Sequence, residues 1–252
     1  MFKTISTSRW LLSNQSIGHI KTKDNLMSHK KFTFVLLSTF LFTYSNFSVA
    51  DWFTSSETKE LITKADAGDK DAQFKVGLAY DSGNGAPSSI DKAKSYYRMA
   101  AQQGHAEAQN SLGSIFQAEK NYVEAKSWYE LAVAQNHAMA TNSLGQLYDL
   151  GLGTPQDRNK GFEFYTRSAD LGHARAMWNI ANMYGAGQLG KVDLFSACVW
   201  IVRTKKYSEN QDRQLIQYIQ RVLPAVQKDL SGKDWGKCHE EANAWSPKLV
   251  AQ

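Results

Sequence analysis

Apolar residues return at i, i+4 and i+8 in three stretches of this chain: Ala72, Val76 and Tyr80; Ala108, Leu112 and Phe116; Ala140, Leu144 and Tyr148. That spacing puts each set on one face of an α-helix. A fourth stretch, Arg175 to Ala181, carries Ala176 and Ile180 at the matching places, and successive copies are offset by 36, 32 and 36 residues. Between them runs a second stripe at i, i+3, i+4, i+7. It reads Ala93, Tyr96, Tyr97, Ala100, then Ala125, Trp128, Tyr129, Ala132, then Gly161, Phe164, Tyr165, Ser168, then Ala197, Trp200, Ile201, Thr204. The pattern predicts two helices per unit and about four units. Repeats of that length stack into a solenoid, because one helix pair cannot bury its own apolar face.

The punctuation agrees. Gly104, Asn136 and Gly172 share one register, each followed by His, as left-handed residues closing a helix. Gly83-Asn84-Gly85 with Pro87, and Gly151-Leu152-Gly153 with Pro155, separate the helices of units one and three. Unit two lacks four residues there and turns through Gln117 to Asn121. Gly77, Gly113 and Gly145 recur mid-helix, where glycine costs about 1 kcal/mol against alanine. The close approach of a partner helix backbone accounts for them, and Ala181 keeps the place small in the fourth unit. After Ser208 the period is lost. Leu215, Ile219 and Val222 form one further stripe, which Pro224 ends or kinks, and Trp235, Cys238, Ala242 and Trp245 form another. The aromatic stripe reads as core of a terminal cap over residues 205–252, which a solenoid needs to cover its last apolar face.

The order Ala-x-Ala-x-x-x-Leu-Gly-x-x-Tyr, Gly-x-Gly-x-Pro, Ala-x-x-Trp/Tyr-Tyr-x-x-Ala-x-x-Gly-His resembles the Sel1-like repeat, a relative of the tetratricopeptide repeat with a longer inter-helix loop. The resemblance covers about residues 70–204, and Ala65-Asp66-Ala67-Gly68-Asp69 looks like the end of a preceding copy. It implies an all-α, right-handed α/α solenoid over residues 51–204, and a scaffold or adaptor role in the envelope or outside the cell. It also implies two alternatives: an enzyme or small-ligand binder of cell-wall or β-lactam chemistry, and a secreted factor acting on a host protein.

Charge and the leader refine this picture. Six of the 29 Lys/Arg and one of the 24 Asp/Glu lie in residues 1–50, leaving 23 of each sign after them. The part that folds therefore has no basic bias toward nucleic acid. Met27 to Lys31 is short and basic, Phe32 to Tyr44 is apolar, and Ser48-Val49-Ala50 ends in small residues. This is the layout of a secretory signal peptide cleaved after Ala50, with Met27 as the start and residues 1–26 an extension. The apolar run is shorter than the ~20 residues that span a bilayer. The mature protein is expected to be periplasmic or secreted, monomeric and without a membrane span. An exported chain meets oxidising conditions, so its two cysteines, Cys198 and Cys238, are expected to pair.

Catalytic and cofactor readings fail on the residues. Gly185 to Lys191 matches the start of a phosphate-binding loop, but Val192 stands where Ser or Thr must hold magnesium, and a helix precedes it rather than a strand. His105, His137 and His173 occupy equivalent places in units about 10 Å apart and cannot converge on one zinc ion. His239-Glu240-Glu241-Ala242-Asn243 lacks the second histidine of a zinc helix. No nucleophile–base arrangement and no cofactor is expected. What remains is a protein or peptide bound on the first helices. In tetratricopeptide relatives the places two before and two after the repeat Leu face the groove. Here they hold Phe74 and Leu78, Asn110 and Ser114, Asn142 and Gln146, Trp178 and Asn182. The expected partner-binding residues are Asn110, Asn142, Gln146, Arg175, Trp178 and Asn182. The amides read a peptide backbone, Arg175 meets a carboxylate and Trp178 anchors.

Overall fold

A computed structural model describes residues 54–208 and 212–248. The leader, with its cleavage site after Ala50, lies outside the described residues. Eleven α-helices and no strand occur among them: α1 (Ser56–Asp66), α2 (Lys70–Ser82), α3 (Ile90–Gln102), α4 (Ala106–Ala118), α5 (Tyr122–Ala134), α6 (Ala138–Leu150), α7 (Arg158–Asp170), α8 (Ala174–Gly185), α9 (Leu194–Ser208), α10 (Arg213–Asp229) and α11 (Gly232–Ala244). Helices α2/α3, α4/α5, α6/α7 and α8/α9 pair as the four units, and each pair packs on the next through α3/α4, α5/α6 and α7/α8. Helix α1 packs on α2 as the second helix of an incomplete first unit.

Each unit is organised around one tyrosine. Tyr97, Tyr129 and Tyr165 are buried. Their rings lie over Gly77, Gly113 and Gly145, where an added Cβ would stand 2.5, 2.4 and 2.9 Å from ring carbon. The mid-helix glycines thus make room for a tyrosine ring. In the third unit the backbone also closes in, with the Gly161 carbonyl 3.1 Å from the same point. The hydroxyls then reach the end of the first helix. Tyr97 donates to Asp81 at 3.0 Å, Tyr129 to Gln117 at 2.9 Å and Tyr165 to Asp149 at 3.4 Å. Burial and the Asp81 and Asp149 carboxylates hold the Tyr97 and Tyr165 hydroxyls protonated far above neutral pH. In the fourth unit Ile201 replaces the tyrosine, has no ring to accommodate, and faces Ala181 rather than glycine.

Amides tie one unit to the next. Gln73 Nε2 donates to the Ala65 carbonyl at 3.0 Å and Gln109 Nε2 to the Ala101 carbonyl at 3.1 Å, adding a side-chain donor to helix-end carbonyls that also accept the Gly68 and Gly104 amides. Gln103 and Gln135 each donate back to these glutamines at 2.8 Å. Gly104, Asn136 and Gly172 close their helices at φ of 83°, 59° and 86°. Gly153, also left-handed, carries the third unit's loop against the start of α5. A Cβ there would stand 2.7 Å from Tyr122 Cβ and 2.8 Å from its backbone carbon, so the loop sits where unit two has its short turn.

The cap is two helices. Helix α9 runs on to Ser208, four residues past the expected domain boundary. Helix α10 continues through Pro224 to Asp229, so the proline does not end it. The donor that Pro224 lacks would have met the carbonyl of Gln220, four residues back, and Gln220 is exposed. Cys198 and Cys238 form a disulfide, Cα–Cα 6.0 Å, that joins α9 to α11. Beside it Arg203 lies over the rings of Trp200 and Trp245 at 4.6 and 5.0 Å. In the stripe Trp235, Cys238, Ala242 and Trp245, the two small residues are core, and the two tryptophans are half-buried against it.

Candidate partner-binding site

The first helices α2, α4, α6 and α8 present one surface, and α4 and α6 touch directly. Asp69 starts α2, and histidines start the other three. His105 Nδ1 accepts the Ala108 amide at 3.3 Å and His137 Nδ1 accepts the Ala140 amide at 3.1 Å, so the turn histidines are side-chain N-caps. Sequence reading placed them in the turn and missed this role. Imidazole nitrogen is an uncommon cap, and only the neutral ring can accept there. His173 begins α8 without a capping bond. Burial, with Arg175 and His137 close by, pulls its pKa down to about 4, and burial lowers that of His137 as well.

A pH dependence follows from that depression. The folded protein excludes a proton that the unfolded chain accepts at a pKa near 6.5. Stability contributed by the neutral rings is complete above about pH 6.5 and is lost as pH falls toward 4. The parent is expected to lose about 1–2 kcal/mol more than a His173→Asn variant between pH 7 and 5. Parallel urea melts at the two pH values measure this, and equal losses in the two proteins would refute it.

The expected binding residues fall into two groups. Asn110 and Asn142 are 8% and 3% exposed, with Gln146 beside them and half-buried. Asn142 Oδ1 accepts from Asn179 Nδ2 at 2.8 Å. Among the described residues, Asn110 Nδ2 reaches only the Met139 sulfur at 3.6 Å, and its Oδ1 is buried with no hydrogen-bond partner. Asn142 and Gln146 line a cavity of about 480 Å³ with Met139, His173, Arg175, Asp212 and Leu215. The second group belongs to the cap. Arg175 is ion-paired with Asp212, the N-cap of α10, and Trp178 packs edge-on against Tyr218 of α10, centroids 5.3 Å apart. Ala174 and Ala181 pack with Leu215 and Ile219 of the same helix. The chain's own α10 therefore covers α8 at this end of the surface, and of the expected residues on α8 only Asn182 is exposed without a bond to α10. Asp212, three residues before Leu215, was the available signal: it reads as an N-cap for an apolar stripe that needs a surface to cover.

Helix pairs of this length and register, small-over-tyrosine packing and His-led first helices define a known repeat. A profile of the Sel1 repeat matches residues 70–105, 106–137, 138–173 and 174–200. The chain belongs to the Sel1 repeat family. Its fold is similar to that of a protective antigen present in uropathogenic Escherichia coli strains, at 23% identity and TM-score 0.67, covering 74% of this chain and 40% of that one. A Sel1 repeat protein from Oxalobacter formigenes is similar at 26% identity and TM-score 0.63, covering 73% and 75%. A sel1 repeat protein from Klebsiella pneumoniae follows at 16% and 0.51. No curated protein matches the chain. Proteins of the Sel1 family are generally protein-interaction modules. Among the described residues no group of His, Cys, Asp or Glu is placed to hold a metal ion, and no helix is long and apolar enough to cross a membrane.

Proposed function

We propose that this Sel1 repeat chain is an exported interaction module that binds an extended segment of another protein across α4 and α6, entering the cavity beside α10. The cavity carries this reading. Its volume is in the range of ligand sites, and it places the Asn142 and Gln146 amides against the apolar walls of Met139 and Leu215. Amides in such a setting pair with peptide groups, which need both a donor and an acceptor. Trp178 and Arg175, engaged by α10, are not assigned to the partner. Export rests on the leader sequence alone.

One preparation tests both parts. Protein expressed from Met27 and recovered from the cell envelope should have the mass of residues 51–252. The same material should select binders from a library of linear peptides. A combined Asn142→Ala and Gln146→Ala change should weaken those peptides by about tenfold or more, the scale of hot-spot residues, while melting stays within a few degrees. Lys94→Ala with Lys126→Ala, on the second helices, should leave them bound. The reverse pattern would move the site to the outer face.

A further inference from the structure

Asn110 stands at the centre of the binding surface in a state that the fold does not explain. It is more than nine-tenths buried, and among the described residues its Oδ1 has no partner and its Nδ2 meets only a thioether. A buried acceptor left idle costs free energy that an apolar residue of the same shape would not. Exchanging the two ends of the amide does not help, since a thioether has no proton to give. The group against the other end of this amide is Met139, itself 50% exposed on the surface and a wall of the cavity that Asn142 and Gln146 line. Methionine is unbranched and changes rotamer easily. Its sulfur is the weakest of the available partners and the easiest to give up.

We propose that Met139 is a movable cover over a pair of amides that reads one stretch of peptide backbone. With the side chain swung aside, Asn110 Oδ1 joins the cavity and accepts a ligand N–H. Asn142, whose Oδ1 is already held by Asn179, donates from Nδ2 to a ligand C=O. The occupant is an extended, uncharged segment. The central positions Asn110, Ser114, Asn142 and Gln146 carry no charge, and Arg175 at the edge is already neutralised by Asp212. This inference rests on the groove being the binding surface and adds which backbone groups are read and what must move first.

The test is an NMR titration of the mature chain and its Met139→Ala variant, following the side-chain amide resonances of Asn110, Asn142 and Gln146. The probes are N-methylacetamide, a single secondary peptide group, and N,N-dimethylacetamide, which keeps the carbonyl and lacks the N–H. N-methylacetamide should move Asn110 and Asn142 together, and dimethylacetamide Asn142 alone. Met139→Ala should tighten N-methylacetamide by about threefold or more, because the closed cover no longer taxes binding. Equal response of Asn110 to both probes, or no response of Asn110 in the variant while Asn142 and Gln146 respond, overturns the cover and leaves the groove standing. Silence at all three residues in both proteins overturns the groove reading with it.

Discussion

Gly113→Ala should unfold at a lower temperature than the parent, although alanine is the better helix former by about 1 kcal/mol. The new methyl would stand 2.4 Å from Tyr129 Cε1. The ring has no room to retreat, because it is 1% exposed and its hydroxyl is bonded to Gln117 and Ser114. Overpacking of this kind costs about 1–3 kcal/mol, occasionally more, and outweighs the gain in propensity. The protein supplies its own control. Gly236 lies within α11 with nothing inside 4 Å of an added Cβ, so Gly236→Ala should stabilise by up to about 1 kcal/mol. The fourth unit supplies the rescue, since Ala181 and Ile201 already form the alternative pair. In a Tyr129→Ile background Gly113→Ala should become neutral or favourable. Thermal melts of the four proteins measure the coupling. Additive effects would mean that the tyrosine ring is not what the glycine accommodates.

Removing the disulfide with Cys198→Ala and Cys238→Ala should destabilise the cap by about 2–4 kcal/mol. Closing a loop of 40 residues is worth ~4 kcal/mol in the chain-entropy model, and measured values often fall lower. The loss should be local first, because a repeat array is held mainly by contacts between neighbouring elements. Helix α11 carries exposed Lys233 and Lys237. Trypsin should cut there in the variant under conditions that leave the parent intact, while α2 to α7 remain protected. Unchanged melting together with an unchanged digest would show that Trp235, Ala242 and the Arg203 contacts hold α11 without the bond.

How far the sequence carried depends on whether the information repeats. The helix pairs, the glycine positions and the left-handed caps at Gly104, Asn136 and Gly172 recur at fixed offsets, and each copy corroborates the others. The disulfide was legible for a different reason, since two cysteines allow one pairing. The candidate surface was legible only in its register. Periodicity says that Asn142 and Trp178 share a row, but not that Tyr218, 40 residues further on in the non-repeating tail, lies against Trp178. Arg175 was likewise read as available, whereas Asp212 takes it. The expectation at the glycines was close backbone approach, whereas the nearest atoms in all three units belong to a tyrosine ring, with backbone beside it in unit three, because periodicity marks a demand for space without saying what fills it.

The Gly153 loop resting on Tyr122 has a consequence for how such an array grows. Unit two is four residues shorter than its neighbours, and the space those residues would take is already occupied by the loop of unit three. Units two and three are therefore a matched pair rather than interchangeable modules. A duplication that placed a full-length unit before unit three would drive two loops into one space. Lengthening of this array is closed where a deletion in one copy has become the seat of the next.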